Sequence, residues 1–180
     1  ILMLVGIQTN AETVILETNV TMANFWQKNG TDVEKVQEVA SKIINANKLN
    51  KNVNVLVKRD TKIPNAYASF ADKRIYIYTG LLPYIDNDDE LAYVISHEIA
   101  HCLDFHDGLL KALTAMKFNS KPYETRADLI GIDLMVKAGY NPIAAICTQK
   151  KIGGEHFWDV GLLVSHPKGS TRMFNMYKHI

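Results

Sequence analysis

A mostly apolar run, Val94 to Leu103, carries two histidines and a glutamate in the order His97-Glu98-Ile99-Ala100-His101. No other feature limits the chain so tightly. Val94, Ile95, Ile99 and Leu103 call for burial, and burying two imidazoles and a carboxylate without partners is costly. In a helix, residues four apart share a face, so His97 and His101 can hold one zinc ion through both rings. Glu98, one step round, is too far to join them as a ligand. It suits instead a general base acting on a water whose pKa a zinc ion lowers to near neutral. The alternative for the motif alone is an amphipathic helix with a histidine pair on its polar face; the apolar flanks weigh against it.

A catalytic zinc needs a third protein ligand and an open fourth position. His106 follows His101 at one residue less than the metzincin spacing, and Asp104 stands where that pattern has its turn glycine, so it fails. Glu124 and Asp128 form a better pair, four apart on a second helix. Glu124 can reach the metal, while the shorter Asp128 can accept a hydrogen bond from a ligand imidazole and fix its tautomer. The competing reading is an exposed helix face shared with Arg126. Glu155 follows Gly153-Gly154, a poor platform for a ligand that must hold its geometry.

The whole chain reads as one domain of 180 residues, with 47% hydrophobic and 22% charged residues. A formal charge of +1 with no basic stripe excludes an electrostatic footprint for nucleic acid. Cys102 and Cys147 are too few for a disulfide scaffold and form no CxxC zinc pair. Cys102, beside a ligand, is expected in the core. Residues 1–7 (ILMLVGI) are apolar but far short of the roughly 20 that a membrane-spanning helix needs. They read either as the remnant of an export signal, with Thr9 and Ala11 near a cleavage point, or as a first packed element.

Thr31 and Glu34 form a capping-box pattern ahead of Val33, Val36, Ala40, Ile43 and Asn47, which predicts a helix over 32–49. Val53, Val55 and Val57 alternate as a strand; 67–70 and 74–78 predict two more, joined by an Asp72-Lys73 turn. Asn87 to Glu90 opens the zinc helix, expected to reach about Phe105. Pro122 starts a helix to Lys137, closed by Gly139. Pro142 starts a short one broken within 150–154, and a terminal helix begins near Ser170. The order implies an α+β domain, mainly helical, with a small mixed sheet.

At this point the residues resemble a known family. His97-Glu-Ile-Ala-His101 followed by Glu124-Thr-Arg-Ala-Asp128-Leu-Ile-Gly131 is similar to the gluzincin metallopeptidases of the M48 group, the relatives of Ste24, Oma1 and HtpX. Asn65-Ala-Tyr-Ala-Ser with Arg74-Ile-Tyr-Ile-Tyr-Thr-Gly80-Leu-Leu82 resembles the strand pair before that family's zinc helix. Ala138-Gly-Tyr-Asn-Pro142 resembles its turn after the third ligand, and Ser165-His166-Pro167 with Arg172 its C-terminal segment. Asp72-Lys73 departs from the glycine-rich turn usual between those strands. The membrane-spanning segments of the Ste24 and HtpX branches, and the helical-repeat domain of some periplasmic members, are not found in these 180 residues.

The resemblance implies a zincin-like fold with one Zn2+, an endopeptidase cleaving extended peptide or protein substrates in quality control, and a periplasmic or membrane-associated location. An extended substrate is expected against the edge of the sheet, with the 74–78 strand as that edge and the backbone of Ile75 and Ile77 as its partners. Asn65 is a candidate to hydrogen-bond such a substrate, against a turn residue after Pro64. His166 is a candidate to stabilise an oxyanion, with Arg172 orienting it or pairing with a nearby acid; the alternative is a capped loop. His156 and His179 belong to no pattern. The competing function is a non-catalytic, chaperone-like or adaptor zinc domain, or a peptidase plugged by His106 or His166.

Overall fold

The computed structural model describes residues 22–49, 53–69, 72, 74–118, 121–152 and 169–180. Residues 1–11, the candidate signal remnant, lie outside them, as do Glu155, His156 and His166. The elements are helix α1 (Met22–Asn47), strands β1 (Val55–Lys58), β2 (Ala66–Ser69) and β3 (Arg74–Tyr78), a 3-10 turn at Leu82–Tyr84, and helices α2 (Asp88–Phe118), α3 (Lys121–Lys137), α4 (Ile143–Ile152) and α5 (Gly169–His179). This is the expected α+β arrangement. Among the described residues no helix is long and apolar enough to cross a membrane.

Two helices exceed their expected lengths. α1 begins at Met22, so Thr31 lies inside it and is no N-cap. An internal glycine such as Gly30 costs a helix only about 1 kcal/mol, less than starting a new nucleus. α2 passes Phe105 and reaches Phe118. The Leu, Ala, Lys and Met that follow Gly108 are good helix formers, and the next proline is Pro122.

Local signals do fix the ends that matter for the site. Asn87 Oδ1 accepts the Glu90 N–H at 3.0 Å, and Glu90 Oε2 accepts the Asp86 N–H at 2.9 Å, which caps α2. α3 ends in a Schellman turn. Gly139 has φ +81, its N–H donates to Val136 O, and the Tyr140 N–H donates to Met135 O. Asn141 Oδ1 then accepts the Ile143 N–H, and the Asn141 N–H donates to Asp89 Oδ1, fixing the start of α4 against the start of α2.

The sheet is mixed, in the order β1-β3-β2. β3 pairs with β1 in parallel (Val55 opposite Ile75) and with β2 antiparallel (Ala66 opposite Ile77). The 74–78 strand is therefore central, which corrects the expectation that it forms the edge. Both its neighbours use its backbone, and Ile75 and Ile77 are fully buried in the core, so neither offers a surface to a substrate. The reason lies in pairing: β1 and β2, both earlier in the chain, close on β3 from either side, and residues 75–78 are buried.

Among the described residues no strand pairs with the outer side of β2. The Tyr78 N–H donates to Asn65 O at 2.9 Å, making those two a hydrogen-bonded pair. Bonded and non-bonded pairs alternate along an antiparallel ladder, so the N–H and C=O of Ala66 and Ala68 point to the outer side.

One hydrophobic cluster joins the elements. Val36, Ala40 and Ile43 of α1, Val55 and Val57 of β1, Ile75 and Ile77 of β3, Ile95 and Ile99 of α2, Met135 of α3, Ala145 of α4 and Met176 of α5 all belong to it. α1 is tied to α3 by Asn47, whose Nδ2 donates to Leu134 O at 2.9 Å. Cys102 is buried in α2 as expected, Cys147 is exposed, and the two form no disulfide with each other.

Candidate metal centre

α2 supplies His97, Glu98 and His101, α3 supplies Glu124 and Asp128, and α5 supplies Arg172; all six are buried. Helices α2 and α3 can bring these groups together because Gly131 sits where they touch. A Cβ there would lie 3.1 Å from His97 N, 3.2 Å from His97 Cα and 3.3 Å from Ser96 C. A side chain would push α3 off the very turn of α2 that bears the first histidine. Gly131 stood in the family-like stretch, but nothing in the sequence alone assigned it this role.

The three residues expected as ligands converge. His97 Nε2 lies 3.2 Å from His101 Nε2 and 3.4 Å from Glu124 Oε2, and His101 Nε2 lies 3.2 Å from Glu124 Oε1. Among the described residues this is the group of His, Cys, Asp and Glu side chains that could hold a metal ion. Tetrahedral zinc with bonds of about 2.0–2.1 Å spaces its ligand atoms about 3.3 Å apart. The donor set and its spacing fit that ion. Glu98 is not part of the group, as helix geometry requires. Its side chain is 1% exposed, and its Oε1 has no hydrogen-bond partner among the described residues. A buried carboxylate oxygen of this kind, next in sequence to a candidate ligand, is a group that can take a proton.

Asp128 stands behind His97. Its Oδ1 lies 3.0 Å from His97 Nδ1 and 2.6 Å from Arg172 Nη2, its Oδ2 accepts from Arg172 Nε at 2.7 Å, and the Tyr93 hydroxyl donates to Oδ1 at 2.8 Å. Arg172 Nη1 lies 3.5 Å from Glu124 Oε2. The arginine thus pairs with the two acids, one of the roles considered for it. Buried in this way, it has its fork turned to Asp128.

The charges explain each other. Burial alone would push the Asp128 carboxyl up, but hydrogen bonds from Arg172 and His97 hold it below the usual range. Burial would likewise push the His97 imidazolium down; hydrogen bonds to Asp128 and Glu124 outweigh it and raise the ring to about 10. Two buried acids, Asp128 and Glu124, thus share Arg172 and the His97 ring as partners.

Two tyrosines belong to the site and were not read from the sequence. Tyr93 is one turn before His97 and bonds Asp128. Tyr123 stacks on the His101 ring at 5.7 Å and 14°. Only position relative to the motif pointed to them: four before His97, and one before Glu124. Asn65 is buried at the head of β2, with its N–H on Ile63 O and its carbonyl taking the Tyr78 N–H.

A sequence model of peptidase family M48 matches residues 28–118, which include most of α1, the sheet and the histidine helix. The chain belongs to peptidase family M48. The match covers His97, Glu98 and His101. The mitochondrial metalloendopeptidase OMA1 of Arabidopsis thaliana is 32% identical over 61% of this M48 chain and 28% of its own length. The same-named protein of Saccharomyces cerevisiae is 28% identical over 68% of this chain and 45% of its own. An uncharacterized protein of Methanocaldococcus jannaschii is 35% identical over 39% of this chain and 64% of its own. The chain thus spans less than half the length of either OMA1 protein.

Proposed function

We propose that this M48 chain is a zinc-dependent endopeptidase with a zincin-like, gluzincin catalytic domain. The observation that carries this is the convergence of His97 Nε2, His101 Nε2 and the Glu124 carboxylate at 3.2–3.4 Å, with buried Glu98 next to His97. Zinc held there supplies Lewis acidity, which activates water near neutral pH and polarises a peptide carbonyl. Glu98 takes the proton of the attacking water and returns it to the leaving amine nitrogen. Asp128 keeps the His97 tautomer with Nε2 free to bind, and Arg172 keeps Asp128 ionised. His166 serves as a donor to the oxyanion.

Substrate lies extended along the outer side of β2, where the backbone of Ala66 and Ala68 offers a ladder and Asn65 stands at its head. The proposal extends to a role in protein quality control, at a membrane or in the periplasm; the metalloendopeptidase likeness supports its proteolytic part. A quenched-peptide or casein assay with and without chelator, together with metal analysis, tests the assignment. Chelator-sensitive cleavage by a zinc-loaded chain supports it. Zinc without cleavage indicates a non-catalytic or plugged domain instead, and no zinc rejects the site.

A further inference from the structure

Tyr93 lies on α2 one helical turn before His97, its ring centroid 6.0 Å from that of the histidine. Its hydroxyl donates to Asp128 Oδ1 at 2.8 Å. Arg172 grips the same carboxylate through a two-point fork from α5. That fork fixes the plane of the carboxylate relative to α5, but not where Oδ1 stands relative to α2. The phenol fixes that. Because Tyr93 and His97 share one helix face, Oδ1 stands between the Tyr93 hydroxyl and His97 Nδ1, 2.8 and 3.0 Å away, two atoms whose spacing the helix itself sets. Burial, with the Asp128 charge beside it, pushes the Tyr93 hydroxyl well above the usual phenol range, so it remains a donor.

We propose that Tyr93 is a positioning residue for the metal centre: its hydroxyl seats Asp128 Oδ1 on His97 Nδ1, which holds His97 Nε2 toward Glu124 and so raises zinc affinity. The inference rests on reading His97, His101 and Glu124 as zinc ligands. Tyr93 touches no ligand atom facing the ion; it acts through Asp128, as partners of metal-binding imidazoles generally do.

Tyr93→Phe keeps the ring and removes only the donor. Zinc affinity of the folded chain, measured by competition with a chromophoric chelator, should weaken roughly 10-fold, within the range for loss of such supporting contacts. In an Asp128→Ala background the same change should cost almost nothing, because the acceptor is already gone. Melting of the metal-free variants, followed in parallel, separates affinity from packing. Unchanged zinc affinity, with or without a lower metal-free melting temperature, overturns the proposal. Equal losses in both backgrounds overturn it too, since Tyr93 would then not act through Asp128. An unsubstituted chain that takes up no zinc overturns the metal reading itself, and this role with it.

Discussion

Asp128 Oδ1 lies 3.0 Å from His97 Nδ1, on the side of the ring opposite the Nε2 that faces Glu124. One imidazole therefore joins two carboxylates with different tasks. Glu124 should lose the metal when replaced by alanine at neutral pH, since it supplies the third donor. Asp128→Ala should keep zinc with affinity lower by roughly 10- to 100-fold. Removing Asp128 also leaves buried Arg172 with only the 3.5 Å approach to Glu124 Oε2, so the fold should lose up to about 3–5 kcal/mol. Metal analysis of both purified variants decides it: an emptied Asp128→Ala beside a fully loaded Glu124→Ala would reverse the two roles.

Glu98→Gln is the sharpest probe of the chemistry. The amide matches the carboxylate in shape but cannot accept a proton, and Glu98 is no member of the converging ligand set. Zinc content should stay at one per chain while peptide cleavage drops by two or more orders of magnitude, the scale of lost general-base catalysis. Cleavage at the unsubstituted rate would sink the assignment.

The candidate metal cluster was legible in the sequence because it rests on helical spacing, His97 and His101 four apart and Glu124 and Asp128 four apart, and on the family-like stretch that joins the two pairs. Helix caps at Asn87 and Gly139 were legible for the same reason, being local. What failed was non-local. Which of three strands lies in the middle depends on partners far along the chain, and Ile75 and Ile77 look the same on an edge or inside. Helix length failed because the Thr31-Glu34 pair looks like a cap yet lies inside α1, and because no proline stops α2 between Phe105 and Phe118. Tyr93 and Gly131 gain their roles only once α2 and α3 are side by side.

Gly131→Ala tests that contact. The added methyl would meet backbone atoms of His97 and Ser96 at 3.1–3.3 Å, and backbone within a packed helix yields little. Alanine gains about 1 kcal/mol of helix propensity, against an overpacking cost of about 1–3 kcal/mol. The crowded atoms belong to the turn bearing a ligand, so the strain should appear as weaker zinc binding along with a lower melting temperature. A variant that is more stable and binds zinc as tightly would mean that the two helices can part without disturbing the site.

The substrate edge can be tested through the ladder register. Ala68 directs its N–H away from β3, so a proline there leaves the β2–β3 hydrogen bonds intact, a place where sheets tolerate proline. It removes one donor from the side on which an extended peptide would add as a further strand. Ala68→Pro should therefore keep the fold and the zinc content, yet raise KM for a peptide substrate several-fold, the effect of one lost hydrogen bond of about 1 kcal/mol. Tyr67→Pro is the contrasting variant: Tyr67 forms a bonded pair with Tyr76, so its loss should lower the melting temperature as well. If Ala68→Pro cleaves peptides with an unaltered KM while folded and zinc-loaded, substrate does not lie along β2.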